Sequence, residues 1–297
     1  MSFESYLAQR QQRIERFLDR CVPPARPSDR LAQAMRYSLF SGGKRIRPIL
    51  AIAAGEAVGG AVAPILPFAC AVELIHTYSL IHDDLPAMDD DALRRGKPAN
   101  HIVFGDALAI LAGDALLTEA FVVMAQAAAR SAARRDAALQ VLTEVGQAAG
   151  ARGMVAGQAA DIAAEKTAID LPAVELIHVR KTGALIRAAV RAGALLGGAR
   201  ANQLRRLTRY AEFLGLAFQI ADDILDAEGS PEETGKATGR DRVRQKATFP
   251  AVLGLPDTKR RAQELLANAL RELQRFDERA EPLRQVARFV VERAAGR

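Results

Sequence analysis

Apolar positions recur every three to four residues along most of the chain and seldom alternate at every second residue. That pattern predicts one helix after another, with no strand or hairpin between them. Phe3 to Cys21 places Leu7, Ile14, Phe17 and Leu18 on one stripe. Pro23, Pro24 and Pro27 close this helix, and Ser28 or Asp29 can cap a second one that runs to about Phe40. Further helices are expected at about 47–58, 64–84, 103–130, 132–149, 152–165, 172–196, 202–227, 259–276 and 282–293. Asp170 before Leu171-Pro172 offers an N-terminal cap with proline in the first turn. Segments 103–129 and 181–196 are apolar nearly all round, as helices are in the centre of a large bundle or against a second subunit. The expected fold is all-α, a single large helical bundle over residues 1–297.

Composition supports helix over sheet. About a fifth of the 297 residues are Ala, aromatics are 5%, and Trp is absent, which suits the residue with the best helix propensity and not a β-rich core. Cys21 and Cys70 form no CxxC pair, which fits a reducing compartment or simple core filling. The N-terminus is polar and lacks the apolar stretch of a signal peptide. The apolar region from Pro48 to Val72 is broken by Glu56, three glycines, Pro64 and Pro67, so no membrane span is expected, and a cytoplasmic location is. A net charge of +6 suggests a polyanionic partner. No basic stretch interleaves with aromatics, which argues against nucleic acid. Only seven of the 41 basic residues are Lys, so positions that keep Lys are candidates for a compact ammonium.

Two polar inserts, 86–100 and 228–247, each follow directly on a cluster of aspartates. The first cluster is His82-Asp83-Asp84-Leu85-Pro86-Ala87-Met88-Asp89-Asp90-Asp91, five Asp within nine residues at the expected end of an apolar helix. Like charges repel there, and a helix C-terminus already carries partial negative charge. A hard dication with oxygen ligands would compensate. The loop lacks the glycine and terminal glutamate of an EF-hand. The second cluster, Phe218-Gln219-Ile220-Ala221-Asp222-Asp223-Ile224-Leu225-Asp226, sets Asp222 and Asp223 four and three residues before Asp226, on one helix face. Mg²⁺ uses few protein carboxylates and shares its other positions with water and phosphate. Two such carboxylate sets therefore suit several Mg²⁺ around one diphosphate. Ser41-Gly42-Gly43-Lys44-Arg45-Ile46-Arg47-Pro48 supplies a glycine turn, a helix start and cations for phosphate. It is not a Walker loop, because the upstream Gly is absent and Arg45 stands in place of Ser/Thr.

Several motifs occur in order. They are Gly42–Pro48; His76 to Asp91 followed by Arg94-Arg95-Gly96-Lys97-Pro98; Ala112–Leu117; Gly157-Gln158 with Asp161; Lys181-Thr182-Gly183-Ala184-Leu185; Phe218 to Asp226; and Gly235-Lys236 through Lys246 to Pro250. Together they resemble the trans-isoprenyl diphosphate synthases, or polyprenyl synthetases, most nearly the bacterial farnesyl diphosphate synthases. The resemblance implies an all-α bundle around a deep central active-site cavity, usually in a homodimer. It implies that Asp83, Asp84, Asp89, Asp222, Asp223 and Asp226 bind Mg²⁺, about three ions per site with substrate bound. Arg94, Lys181, Lys236 and Lys246 would hold the allylic diphosphate, and Gly43, Lys44, Arg47, His76 and Arg95 the isopentenyl diphosphate. Thr182 and Gln219 would stabilise a carbocation through their oxygens. Asp83, Asp84, Lys181, Thr182, Gln219, Asp222 and Lys236 would then carry the chemistry. Tyr78 and Ser79, one helical turn before Asp83, would set product length, and the aromatic ring goes with a C15 product in similar enzymes. Ala92, Ala99, Ala156 and Phe249 depart from the usual pattern without removing an expected ligand.

The expected reaction is condensation of isopentenyl diphosphate with dimethylallyl and geranyl diphosphates to farnesyl diphosphate, with release of pyrophosphate. Geranyl or geranylgeranyl diphosphate synthesis is the nearest alternative. A terpene cyclase would be expected to carry an Asn/Ser/Glu-type second motif, and a noncatalytic partner subunit to have lost Asp or Lys/Arg positions. Neither change is present.

Overall fold

The computed structural model describes residues 2–165, 167, 169–228, 246 and 248–292. The described chain is almost wholly helical, as the apolar periodicity requires. The helices are α1 Phe3–Cys21, α2 Arg30–Leu39, α3 Ile46–Ala57, α4 Val62–Asp83, α5 Asn100–Phe104, α6 Asp106–Ala129, α7 Arg135–Ala149, α8 Met154–Ala164, α9 Leu171–His178, α10 Ala184–Leu196, α11 Ala201–Glu228, α12 Phe249–Leu253, α13 Leu255–Glu272 and α14 Glu281–Glu292. Contacts divide the chain into two compact units, residues 1–49 with 66–142 and residues 50–65 with 143–297.

In the first unit, α1 opens on the Ser2 hydroxyl, which accepts from Ser5 N–H, and α2 opens on Asp29, which accepts from Ala32 N–H. Ile14, Leu18, Leu39, Ile49, Phe68, Leu74 and Ile75 are fully buried. Cys70 belongs to the same core, and burial pushes its thiol pKa well above the ordinary range; burial also pushes the Cys21 thiol up, to about 11. Both cysteines are free. The segment expected as one helix over 103–130 is two. Gly105, at φ +86°, turns the chain between α5 and α6.

A second difference lies in the loop after the first aspartates. Leu93–Arg94 (β1) and Lys97–Pro98 (β2) pair as a minimal antiparallel ladder, where no strand was expected. Its two loop residues, Arg95 and Gly96, have φ of +55° and +73°, the mirror-image turn that matches strand twist. Two-residue strands carry no period, so hydropathy cannot announce them.

In the second unit, α11 packs against α10 and α13, and the fully buried Tyr210 donates its hydroxyl to Leu283 O at 2.7 Å. Asp170 caps α9 through Ala173 N–H, as its position before Leu171-Pro172 suggests. The expected helix over 172–196 is interrupted by a π-helical turn at Val179–Gly183. Such single turns insert a residue into the i→i−4 ladder and concentrate at functional sites. As expected for 181–196, α10 is buried on most sides. By contrast, α6 leaves Ile110, Leu111 and Val122 exposed. By length and composition alone, α4 and α6 could each cross a membrane, which the interrupted apolar region did not lead one to expect. In α4, 72% of the most apolar window is buried within the protein, against 33% in α6.

Candidate active site

In the first unit α4 carries apolar side chains into the core up to Ile81 and then releases its aspartates. The loop folds back on the helix end. Asp89 N–H donates to Asp83 O at 2.8 Å and Asp91 N–H to Asp84 O at 3.1 Å. These bonds bring Asp83 and Asp89, both half-buried, to the same end of α4. Asp84 is only 2% exposed. Its carboxylate is gripped by Arg94, from Nε at 2.9 and 3.1 Å and through Nη2, with Asp91 also near that guanidinium at 3.7 Å. Paired guanidinium–carboxylate geometry of this kind fixes orientation as well as charge. The Arg94–Asp84 pair thus ties the β1–β2 ladder to the first aspartate cluster.

The glycine turn reaches the same unit. Arg95 donates to Gly42 O, and a Cβ on Gly43 would meet the Arg95 guanidinium at 2.6 Å. Gly43 is therefore the residue that lets Arg95 lie across the turn. Burial comes first in holding the His76 pKa well below the ordinary histidine range, followed by the charges of Arg47, Arg95, Arg94 and Arg45. Two basic motifs about fifty residues apart in sequence thus surround one imidazole. Arg45 is a different kind of cation from its neighbours. It is 2% exposed and bonds Glu15 at 2.7 Å, Glu73 at 2.8 Å and the carbonyl of Leu39. Its charge is consumed inside the fold, while Gln11 Nε2 holds the carbonyl of Lys44 at 3.2 Å.

Tyr78 is buried, with its ring edge-on to His82 at 5.6 Å, and burial together with Asp83 pushes its phenol up to about 12. Ser79 turns its hydroxyl back to His76 O at 2.9 Å. His82 Nε2 lies 3.0 Å from Ile110 O on α6. A Cβ on Gly113 would stand 2.1 Å from that ring, so glycine is what admits the histidine.

In the second unit the π-turn carries Lys181, Thr182 and Gly183. Backbones crowd it from two sides. A Cβ on Gly157 would meet Lys181 N at 2.2 Å, and one on Gly215 would meet Gly183 Cα at 2.8 Å. Lys181 Nζ bonds Asp161 Oδ2 at 2.6 Å, and Lys246 Nζ approaches the same oxygen at 3.8 Å. Thr182 donates its hydroxyl to Gln219 Oε1 at 2.7 Å. With its proton so placed, the threonine oxygen keeps its lone pairs for a positive partner. Asp222 and Asp226 are half-buried, whereas Asp223 is 3% exposed. Asp223 accepts from Gln219 Nε2, from His178 Nε2 and from Phe249 N–H. Lys236 lies outside the described residues.

The first aspartate cluster therefore turns Asp84 and Asp91 inward towards Arg94 and the second turns Asp223 inward onto its donors, beside others that reach the surface. Among the described residues no three His, Cys, Asp or Glu side chains gather as a ready-made metal cage. Mg²⁺ needs no such cage, since one or two carboxylates plus substrate phosphate oxygens complete its octahedron. The half-exposed Asp83, Asp89, Asp222 and Asp226 have the hard oxygen donors that this requires. Spacing alone does not single out Asp161 or Gln158, although they stand at i,i+3 on α8. Gln158 is 8% exposed and neither atom of its amide has a partner. A buried amide left unsatisfied costs about 1–3 kcal/mol, which points to a ligand-facing role.

Comparison with known proteins gives the family. The family model for polyprenyl synthetase matches residues 28–287. A farnesyl diphosphate synthase from Geobacillus stearothermophilus is 46% identical over 293 residues, covering 99% of this chain and 98% of the relative. A geranylgeranyl diphosphate synthase from Cyanophora paradoxa is 46% identical over 290 residues, covering 97% of this chain and 96% of the relative. The crystal structure of an FPP/GFPP synthase from Zymomonas mobilis superposes with a TM-score of 0.87 at 39% identity, covering 97% of this chain and 99% of that one. The chain belongs to the polyprenyl synthetase family and is a prenyltransferase.

Proposed function

We propose that the chain is a Mg²⁺-dependent synthase that condenses isopentenyl diphosphate with dimethylallyl and then geranyl diphosphate, giving farnesyl diphosphate and pyrophosphate. The observation that carries this reading is the convergence of Lys181 and Lys246 on Asp161, next in the chain to the Thr182–Gln219 pair. Two ammonium groups would hold a diphosphate where two oriented oxygens would meet a cation. Asp83, Asp89, Asp222 and Asp226 are the proposed ligands for about three Mg²⁺, with Asp84 and Asp223 acting through the donors they bind. Bound Mg²⁺ would neutralise the departing diphosphate.

The allylic C–O bond breaks and its electron pair leaves with pyrophosphate. The Thr182 and Gln219 oxygens stabilise the allylic cation electrostatically. The isopentenyl alkene then forms the new C–C bond, and the proton lost passes to pyrophosphate, so no separate base is needed. Lys44, Arg47, Arg95 and the neutral His76, with Gly43 making room, are assigned to the isopentenyl diphosphate. Arg94, Lys181, Lys246 and Lys236 are assigned to the allylic one. The buried Tyr78 ring favours a C15 product, and Ser79 is the second length-setting candidate.

The exposed Ile110, Leu111 and Val122 of α6 support a homodimer, and the free thiols Cys21 and Cys70 suit the cytoplasm. Dimethylallyl and isopentenyl diphosphates incubated with Mg²⁺ should yield C15, and Asp83→Ala should abolish elongation. A C20 product would reassign the length, and absence of elongation would refute the reading.

A further inference from the structure

We infer that His178 is a positioning residue that orients the Gln219 amide through Asp223. The inference rests on the assignment of Gln219 and Thr182 above, and the network itself lies wholly in the second unit. His178 is the last residue of α9, three positions before Lys181 in the π-turn, and is 5% exposed. Its Nε2 stands 3.2 Å from Asp223 Oδ2. An ionised carboxylate can only accept, so Nε2 carries the proton and the imidazole donates. Phe249 N–H donates to the same oxygen at 3.0 Å, and the Phe249 and His178 rings stack at 5.4 Å with 19° between their planes.

With Oδ2 taken by these two donors, Oδ1 faces Gln219 Nε2 at 3.0 Å. That bond fixes which end of the amide points where. Its oxygen must then face Thr182, whose hydroxyl donates to it at 2.7 Å. If the amide turned over, an NH₂ would meet a carbon-bound cation and the threonine proton would lose its acceptor. The chain His178–Asp223–Gln219–Thr182 thus converts a buried histidine into a fixed pair of oxygens. Hydrogen-bonded supports of this kind hold reacting groups within the tolerance catalysis requires. A histidine that merely filled space would leave Asp223 Oδ2 with one donor and would not care which element supplied it.

The test compares two side chains of similar length, His178→Gln, which retains an amide N–H for Asp223, and His178→Met, which does not. With dimethylallyl and isopentenyl diphosphates, His178→Met should lose tenfold or more in kcat, with KM for isopentenyl diphosphate within threefold of wild type. His178→Gln should recover kcat to within threefold. In the Gln219→Ala background, His178→Met should change kcat by less than twofold, because both residues act along one path. Independent of turnover, ¹⁵N spectra of the wild-type imidazole should show a single Nε2–H tautomer. Equal kcat for the Gln and Met variants, a full additional loss on the Gln219→Ala background, or a mixed tautomer would overturn the inference. Failure of the wild-type protein to elongate at all would instead sink the functional reading, leaving the tautomer result to judge the network.

Discussion

Residues of one type divide into distinct roles according to what surrounds them. Asp83 and Asp84 are adjacent, yet one stays half-exposed while the other is closed off by Arg94. Lys44 and Arg45 are adjacent cations, and Arg45 is spent on the buried Glu73 and the half-buried Glu15. His76 carries the clearest pH consequence. Its folded pKa lies well below the unfolded value of 6.5, so between the two the unfolded chain binds a proton that the folded one refuses. Stability should therefore fall as pH drops below about 6.5, by at most about 1.4 kcal/mol per pH unit from this one group. Urea unfolding at pH 7.5 and 5.5 should show a smaller loss for His76→Gln than for wild type; an equal loss would assign the pH dependence elsewhere. Tyr78 makes a second prediction. At about 1.5 Å per residue, Tyr78 lies about 7.5 Å up the α4 axis from Asp83, and Tyr78→Ala should shift product towards C20. An unchanged C15 profile would remove Tyr78 from length control.

At the scale of elements, glycine decides where helices touch. The π-turn at Val179–Gly183 can carry Lys181 and Thr182 only because α8 and α11 present Gly157 and Gly215 to it. Gly157→Ala would press a methyl group into the Lys181 backbone, which cannot rotate away as a side-chain end can. The expected cost is about 1–3 kcal/mol in chemical denaturation, together with a rise in KM for the allylic diphosphate. A stable variant with unchanged KM would mean that the π-turn shifts without consequence. The turn itself was not legible in the apolar period over 172–196, because one extra backbone residue leaves side-chain hydropathy almost unchanged. The split at Gly105 and the β1–β2 ladder escaped for a related reason, since each depends on the φ of one or two residues.

For the whole molecule, the apolar pattern of segment 103–129 allowed either a bundle centre or a subunit interface. The exposure of Leu111, at 53% in the isolated chain, favours the interface. Leu111→Glu should therefore convert a dimer to a monomer by sedimentation velocity, with helicity retained. A wild-type protein that is already monomeric would refute the interface. Net charge is also clarified at this scale. Within the excess of +6, positive charge is concentrated locally, since Lys181 and Lys246 converge on one carboxylate and the charges of four arginines act on His76.

The sequence alone determined the all-α class, most helix boundaries, the Asp170 cap, the choice of Ser28 or Asp29 for the α2 cap and the existence of two aspartate clusters. All of these follow from interactions within about four residues, where periodicity and capping chemistry act. Only the tertiary structure decided which aspartates of each cluster turn inward, that Asp161 joins two lysines, and that His178 reaches Asp223. Those partners stand far apart in the chain, 37 residues for Thr182 and Gln219 and 45 for His178 and Asp223. No local rule relates residues so distant. Burial makes the pairing obligatory, since a carboxylate removed from water must find donors wherever the fold brings them.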